Sequence, residues 1–140
     1  MNILYYSPGN TIGGAELSLL DILKEASKHG HNAYVALPPP KRDDLTYMEM
    51  LKQYCKAIFI VQPMRWNIPR KQKWYLRITN YLFNCYLSGW HIVPVFKLLR
   101  IIRKHNIDII HTNTIMSIEP AFAAKLKCIP HIWHIREGIG

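Results

Sequence analysis

Cysteine is scarce in this sequence, and its spacing argues against two kinds of site. The three cysteines, Cys55, Cys85 and Cys128, lie far apart, so no pair has the spacing of metal ligands. Their odd number also argues against a complete disulfide framework. A reducing, cytoplasmic compartment therefore fits the cysteine usage best.

Acidic residues are few as well. Asp and Glu total 9 against 18 Lys and Arg, which gives a formal net charge of +9. Such an excess favours anionic partners: nucleic acid, phosphorylated small molecules or an anionic membrane surface. Because no RNA- or DNA-binding motif accompanies the charge, we expect no nucleic-acid partner.

The sequence lacks the motifs of several enzyme classes. It contains no H-E-x-x-H pattern and no carboxylate cluster, so we expect no protein-held metal. Neither a G-x-S-x-G pattern nor a Cys-His arrangement supports nucleophilic catalysis. No pattern predicts a resident cofactor.

Long uninterrupted hydrophobic runs are missing too. The N-terminus has no basic region before its short apolar run, unlike a signal peptide. Residues 78–99 approach the length of a membrane span, but polar residues, Pro94 and Lys97 interrupt them. We interpret this stretch as a core or interfacial helix rather than a span.

What remains is an alternation of β-rich runs and helical patterns, typical of one α/β domain. It predicts a doubly wound, Rossmann-like parallel sheet. Strands are predicted at residues 3–6, 32–37, 57–61, 107–111 and 131–135. Helices are predicted at residues 15–29, 45–54, 74–105 and 117–126, the third broken near Gly89 or Pro94.

The first helix has an amphipathic pattern. Leu17, Leu20, Leu23 and Ser27 are predicted to share its inner side, with Ile22 and Ala26 beside them. Gly30 is predicted to end it.

Ligands of doubly wound sheets bind beyond the carboxyl ends of the strands. The first such place is the glycine-containing turn before the first helix. Gly13 and Gly14 would let the backbone approach a phosphate at the helix N-terminus, with Glu16 close by. An ordinary strand-to-helix turn explains the glycines equally well.

Two further places follow later strands. His111, Thr112 and Asn113 could bind a polyol, although local capping of the turn is the commoner role of Thr and Asn. His134 lies at the far end of the fifth strand, followed by Arg136 and Glu137, and its imidazole can bind a sugar hydroxyl or a phosphate.

Residues 65–77 are basic and aromatic, and aromatic residues continue to Trp90. This segment fits a contact with a membrane surface or a lipid acceptor. It fits equally well a helix packed on the sheet with a solvated basic flank.

Read together, residues 1–5 (MNILY), 13–16 (GGAE), 108–113 (DIIHTN) and 130–137 (PHIWHIRE) resemble the N-terminal domain of retaining glycosyltransferases of family 4, which have the GT-B fold. The resemblance spans nearly the whole chain. It implies an enzyme that transfers a hexosyl-type sugar from a nucleoside diphosphate sugar to a glycan or lipid-linked acceptor. Cell-surface polysaccharide synthesis is the expected setting, in the cytoplasm and peripherally at the inner face of the membrane.

The resemblance also implies roles for single residues. Gly13 and Gly14 would lie against the donor diphosphate, and His134 would be the catalytic histidine near the transferred sugar. Glu16, Arg136 and Glu137 would contact substrate, although family members often have His-Asp where this chain has Arg136 and Glu137. His111, Thr112 and Asn113 would line the acceptor side.

Family members carry an E-x7-E element and most donor-binding residues in a second, C-terminal domain, which residues 1–140 do not include. We therefore expect an acceptor-side domain that depends on its own C-terminal domain and is inactive alone. A different class stays open: a non-catalytic Rossmann-like module that binds a phosphorylated ligand or a membrane surface. Such a module would use Gly13 and Gly14 but would not need His134.

Overall fold

The computed structural model describes residues 1–40, 45–63, 92–114 and 117–135. Strands and helices alternate along these residues. The strands are β1 (Asn2–Tyr6), β2 (Asn32–Leu37), β3 (Ala57–Ile60), β4 (Ile109–Thr112) and β5 (His131–Trp133). The helices are α1 (Gly14–Lys28), α2 (Thr46–Lys52), α3 (residues 92–105) and α4 (Glu119–Lys127).

The strands form one parallel sheet in the order β3-β2-β1-β4-β5. The chain starts at the centre, adds β2 and β3 on one side, and then crosses back to add β4 and β5 on the other. This order is that of a doubly wound sheet, so the predicted fold class is confirmed. The predicted strand bounds differ from the observed ones by at most two residues.

Both faces of the sheet are covered by helices. Successive strand residues point to opposite sides, so a continuous apolar strand needs helices on both faces to bury it. Leu4 and Tyr6 of β1 pack in one buried cluster with residues of α3 and α4. Tyr5, between them, belongs to a second cluster formed with α1 and α2. The central strand is therefore buried on both faces, which explains its continuous apolar sequence.

Helix α1 packs against the sheet through a face that includes Leu20 and Leu23, as predicted, but excludes two of the predicted residues. Leu19, Leu20, Leu23 and Ala26 are buried, whereas Leu17 is 44% exposed and Ser27 is exposed. The prediction of Leu17 and Ser27 on the inner side is wrong because two leucine stripes are possible in this helix, and the observed one is centred on Leu19 and Leu23. Gly30 follows the helix with φ +72°, which confirms the predicted end.

Residues 92–105 are helical throughout, so the described part of the chain has no break at Pro94 itself. The alternative break at Gly89 and the basic aromatic segment at residues 65–77 lie outside the described residues. Among the helices that the structure describes, none has the length and apolar character needed to cross a membrane.

Two thiols are described. Cys55 is partly buried and Cys128 is exposed, and both are free. Burial raises the pKa of the Cys55 thiol to about 11, so at neutral pH this group is an inert part of the α2 side of the core. Cys85 lies outside the described residues.

Candidate functional site at the carboxyl edge of the sheet

The loop between β1 and α1 is held by two buried polar side chains. Ser7 accepts a hydrogen bond from the backbone N–H of Gly9 through its Oγ, at 3.4 Å. The amide Nδ2 of Asn10 donates to the carbonyl oxygen of Pro38 at 2.8 Å, which ties the loop to the end of β2. These bonds fix the loop just before the helix.

The carboxylate of Glu16 lies against this loop. A Cβ atom on Gly9 would collide with Oε1 of Glu16, and one on Gly13 would lie 2.8 Å from Oε2. A side chain at Gly9 or Gly13 would therefore require the Glu16 carboxylate to move. Sequence reasoning assigned no role to Gly9.

Gly14 differs from both, because a Cβ added to it meets no atom within 4 Å. It is the first residue of α1, and Gly13 before it provides no side-chain cap. The N–H groups of this first turn carry the positive end of the helix dipole. This arrangement is suited to an anion.

Glu16 is anchored at its backbone as well. The hydroxyl of Tyr47 in α2 donates a hydrogen bond to the carbonyl oxygen of Glu16 at 3.1 Å. Burial raises the pKa of Tyr47 strongly, and the nearby Glu16 charge adds to that rise. Tyr47 therefore stays protonated and continues to donate at physiological pH.

Backbone hydrogen bonds continue beyond the strands and align the three segments that the sequence placed at the carboxyl edge. The N–H of Asn113 donates to the carbonyl oxygen of Tyr6 at 3.0 Å, and the N–H of His134 donates to that of Thr112 at 2.8 Å. On the other side of β1, the N–H of Ser7 donates to Ala36 at 3.0 Å. Ser7, Asn113 and His134 therefore lie in one row along the carboxyl edge.

Asn113 also joins this row to α1. Its Nδ2 donates to the carbonyl oxygen of Ala15 at 2.9 Å, and the residue is 2% exposed. Its Oδ1 is buried and accepts no hydrogen bond from any residue that the structure describes. The Asn113 side chain thus sets the position of the first turn of α1 against the end of β4.

Two histidine rings meet at the same edge. The ring centroids of His111 and His134 lie 5.5 Å apart in an edge-to-face arrangement. His111 also contacts the ring of Tyr5 at 5.4 Å, on the face of the sheet that carries α1. His134 is half-buried at this edge.

Thr112 points to the opposite face from His111, as strand periodicity requires. It is fully buried, and its Oγ1 lies 2.8 Å from Nε2 of His131. Burial lowers the pKa of His131, so the neutral ring is favoured in this position. The structure therefore separates the side chain of Thr112 from those of His111 and Asn113, with which the sequence grouped it.

A buried polar group lies beneath the edge. Glu119, in the first turn of α4, is 1% exposed and lies near Tyr6, next to the fully buried Ser117. Burial raises the pKa of Tyr6, and the charge of Glu119 adds to the rise. The position of Glu119 near the helix N-terminus explains how a carboxylate is tolerated there.

Two predicted site residues, Arg136 and Glu137, lie outside the described residues. No group of three or more His, Cys, Asp or Glu side chains that could hold a metal ion occurs in the parts of the chain that the structure describes.

The sequence profile of Glycosyltransferase Family 4 matches residues 12–138. The chain belongs to Glycosyltransferase Family 4. The expected resemblance is thus confirmed, and the carboxyl edge described above is the edge of a family 4 domain. No curated protein matches this family 4 chain significantly.

Three solved structures share the fold of this family 4 domain. A glycosyltransferase from Rickettsia africae has a TM-score of 0.60 at 19% identity, over 99% of this chain and 31% of that one. MurG from Acinetobacter baumannii has a TM-score of 0.59 at 16% identity, over 94% and 33%. HepE from Anabaena, solved with UDP and glucose, has a TM-score of 0.58 at 22% identity, over 92% and 28%. The chain spans about a third of the length of each, and its fold is that of the N-terminal half of GT-B enzymes.

Proposed function

We propose that this chain is the acceptor-side domain of a retaining glycosyltransferase. The complete enzyme moves a hexosyl group from a nucleoside diphosphate sugar to a glycan or lipid-linked acceptor, in the synthesis of a cell-surface polysaccharide. One observation carries the proposal: a family 4 domain brings His134, His111 and the first turn of α1 to one edge of its sheet. A C-terminal domain of the same protein supplies the other wall of the cleft and most of the donor contacts.

In this proposal His134 is the residue nearest the transferred sugar. The His111 ring meets it edge-to-face at 5.5 Å and restrains its orientation, so the imidazole of His134 can present one nitrogen to a sugar hydroxyl. A hydrogen bond to a hydroxyl of the reacting sugar contributes most when it strengthens in the transition state.

The donor diphosphate is proposed to lie at the start of α1, against Gly13 and Gly14. Stabilising the leaving diphosphate is the main electrostatic task of the reaction, and backbone N–H groups at a helix N-terminus suit it. The open space at Gly14 supports a close approach there. The carboxylate of Glu16 beside Gly13 sets the limit of this space and is proposed to contact a substrate hydroxyl.

The acceptor is proposed to lie along β4 and β5. His111 and Asn113 stand at that part of the edge, and Arg136 and Glu137 follow His134 in the sequence. Thr112 contributes through its backbone, whose carbonyl oxygen holds the N–H of His134, since its side chain is engaged with His131.

We place the reaction in the cytoplasm, peripherally at the inner face of the membrane, where lipid-linked acceptors are reached. The free thiols of Cys55 and Cys128 support a reducing compartment. The excess of basic residues supports contact with anionic lipid.

The test uses the full-length protein, which includes the C-terminal domain, and compares His134→Gln with His29→Gln, a change at an exposed histidine beyond α1. We expect His134→Gln to lower kcat by about 100-fold or more, in the range that positioned catalytic groups contribute, while His29→Gln is neutral. Product anomers read by NMR should keep the donor configuration.

The same assay is run on residues 1–140 alone, for which we expect no sugar transfer. Unchanged kcat in His134→Gln contradicts the assigned role of His134. Turnover by residues 1–140 alone contradicts the need for a second domain. An inverted product contradicts the retaining mechanism.

A further inference from the structure

The outward face of α3 carries a set of residues that the sugar chemistry does not use. Val93, Phe96, Lys97, Arg100, Arg103 and Lys104 recur at helical spacing, whereas Pro94, Leu98, Ile101 and Ile102 are buried on the opposite side. The helix thus has two ordered faces, one in the core and one in contact with solvent.

The outward face of α3 borders a groove against α4. The groove has a volume of about 740 Å³, and its lining consists of those outward residues, Leu99, and Lys127 from the end of α4. We call it the α3–α4 groove. It brings together cations from two helices without an acidic residue among its described lining.

The wider sequence keeps this region free of negative charge. No acidic residue occurs between Glu49 and Asp108. Glu119, the one acid of α4, is 1% exposed and faces the core. Among the described residues, no carboxylate lines the α3–α4 groove, so an anionic surface would meet several cations at once.

The same face also exposes apolar side chains. Phe96 is 65% exposed, Val93 51% and Ile92 54%. On α4, Phe122 and Leu126 are 53% and 65% exposed. Apolar and basic side chains on one exposed helical face are typical of helices that lie at a bilayer surface, where the cations contact lipid phosphates and the apolar groups enter the interface.

We infer that the α3–α4 groove is a docking surface for an anionic lipid bilayer. Binding of an acidic protein or of a nucleic acid would explain the cations but not the exposed apolar side chains of Ile92, Val93 and Phe96. The bilayer accounts for both sets of side chains. This inference rests on the peripheral location proposed above, but not on sugar transfer.

The groove extends along α3. Each crossover helix returns the chain to the amino end of the next strand, so Lys104 and Lys127, near the ends of α3 and α4, lie toward the opposite edge from His134. Val93 and Phe96, at the other end of the described part of α3, lie nearer the carboxyl edge.

The experiment measures co-sedimentation of residues 1–140 with vesicles. One vesicle type contains equal parts of phosphatidylcholine and phosphatidylglycerol, and the other contains phosphatidylcholine alone. The test variant is R100Q/R103Q. The matched control is K52Q/K56Q, which removes the same charge from exposed residues at the end of α2 and the start of β3.

We expect binding to the anionic vesicles to fall about 25-fold in R100Q/R103Q, because each cation near the surface contributes about fivefold. The control should keep the affinity of the unchanged protein to within about twofold. Phe96→Ser should weaken the binding that persists at high salt, where screening removes most of the electrostatic attraction.

Equal losses in R100Q/R103Q and K52Q/K56Q would overturn the inference, since they would indicate diffuse net charge. Equal binding to both vesicle types would overturn it as well. So would retention on heparin with no binding to anionic vesicles, which would indicate a polyanion rather than a bilayer. None of these outcomes depends on sugar transfer, so they leave the proposed reaction untouched.

Discussion

Asn113 and Ala15, although far apart in sequence, are joined by a hydrogen bond of 2.9 Å from the Asn113 side-chain amide to the Ala15 carbonyl. The bond crosses from the end of β4 to the first turn of α1. It therefore couples the two segments that the proposed reaction must keep in fixed relation, the helix N-terminus and the His111–His134 pair.

Replacing Asn113 by Leu tests this coupling. The change removes the donor to Ala15 at a buried position of similar volume, so we expect a loss of about 1–2 kcal/mol in the free energy of unfolding. Urea unfolding followed by tryptophan fluorescence gives the value. Gln53→Leu, at an exposed amide after α2, should change it by less than about 0.5 kcal/mol. Equal effects of the two changes would mean that the bond does not hold α1.

Gly14 can be substituted without internal crowding. Gly14→Ala should leave the stability unchanged or raise it by up to about 1 kcal/mol, because Ala favours the helix and no atom lies within 4 Å of the added Cβ. In the full-length protein Gly14→Leu should weaken donor binding at least about tenfold, measured by calorimetry with a nucleoside diphosphate, because the new side chain fills the space proposed for the phosphates. Ser27→Leu, exposed at the far end of α1, is the control. Unchanged donor affinity in Gly14→Leu would remove Gly14 from the proposed site.

Cys128 ends α4 with φ 54°, in the left-handed region that side chains with a Cβ seldom adopt. Its side chain is exposed, so little packing is lost on its removal. Cys128→Gly should raise the free energy of unfolding by about 0.5–1 kcal/mol, because the left-handed strain of about 1–2 kcal/mol exceeds the extra chain entropy of glycine. Lys125→Gly, inside the helix, should lower it by about 1 kcal/mol. A destabilised Cys128→Gly variant would show that the strain is not relieved.

His131 should make the fold sensitive to mild acid. Its pKa is lowered in the folded state by burial, so above the ordinary value of about 6.5 the ring is neutral in both states and costs nothing. As the pH falls below that value the unfolded chain binds the proton more readily, and stability is lost until the folded pKa is passed. The melting temperature should therefore fall between pH 7.5 and pH 5.5, and less so in His131→Gln. His29→Gln, at an exposed site, should keep the full dependence. Parallel pH profiles for all three proteins would contradict the assignment.

The sheet could be predicted because β-rich runs and helical patterns alternate, and β2 was obtained residue for residue at Asn32–Leu37. The inner face of α1 could not be predicted in full, because two apolar stripes are possible among Leu17, Leu19, Leu20 and Leu23. Only the docking of the helix on the sheet selects one of them. Opposite directions for His111 and Thr112 follow from strand periodicity, but which of them faces α1 depends on the register with β1.

The candidate site, too, could be predicted only in part. Its place at the carboxyl edge follows from topology, which sequence patterning reveals. The carboxylate of Glu16 beside Gly9 and Gly13 depends on the path of the loop, which Asn10 and Ser7 fix through hydrogen bonds that have no sequence signature.

The central position of β1 has a consequence for synthesis on the ribosome. Asn2 of β1 pairs with Asn32 of β2. The other side of β1 pairs with β4, which comes much later in the chain, and the carboxylate of Asp108, just before β4, accepts a hydrogen bond from the N–H of Asn2 at 2.7 Å. Closing the loop between Asn2 and Asp108 costs about 1 kcal/mol more than closing the shorter loop between Asn2 and Asn32. We expect the β1–α1–β2 unit to form first, with one edge of β1 unpaired until the polypeptide has grown past β4. A nascent chain halted before β4 should then expose the unpaired edge of β1 to chaperones, and in one extended beyond β5 that edge should be covered by β4.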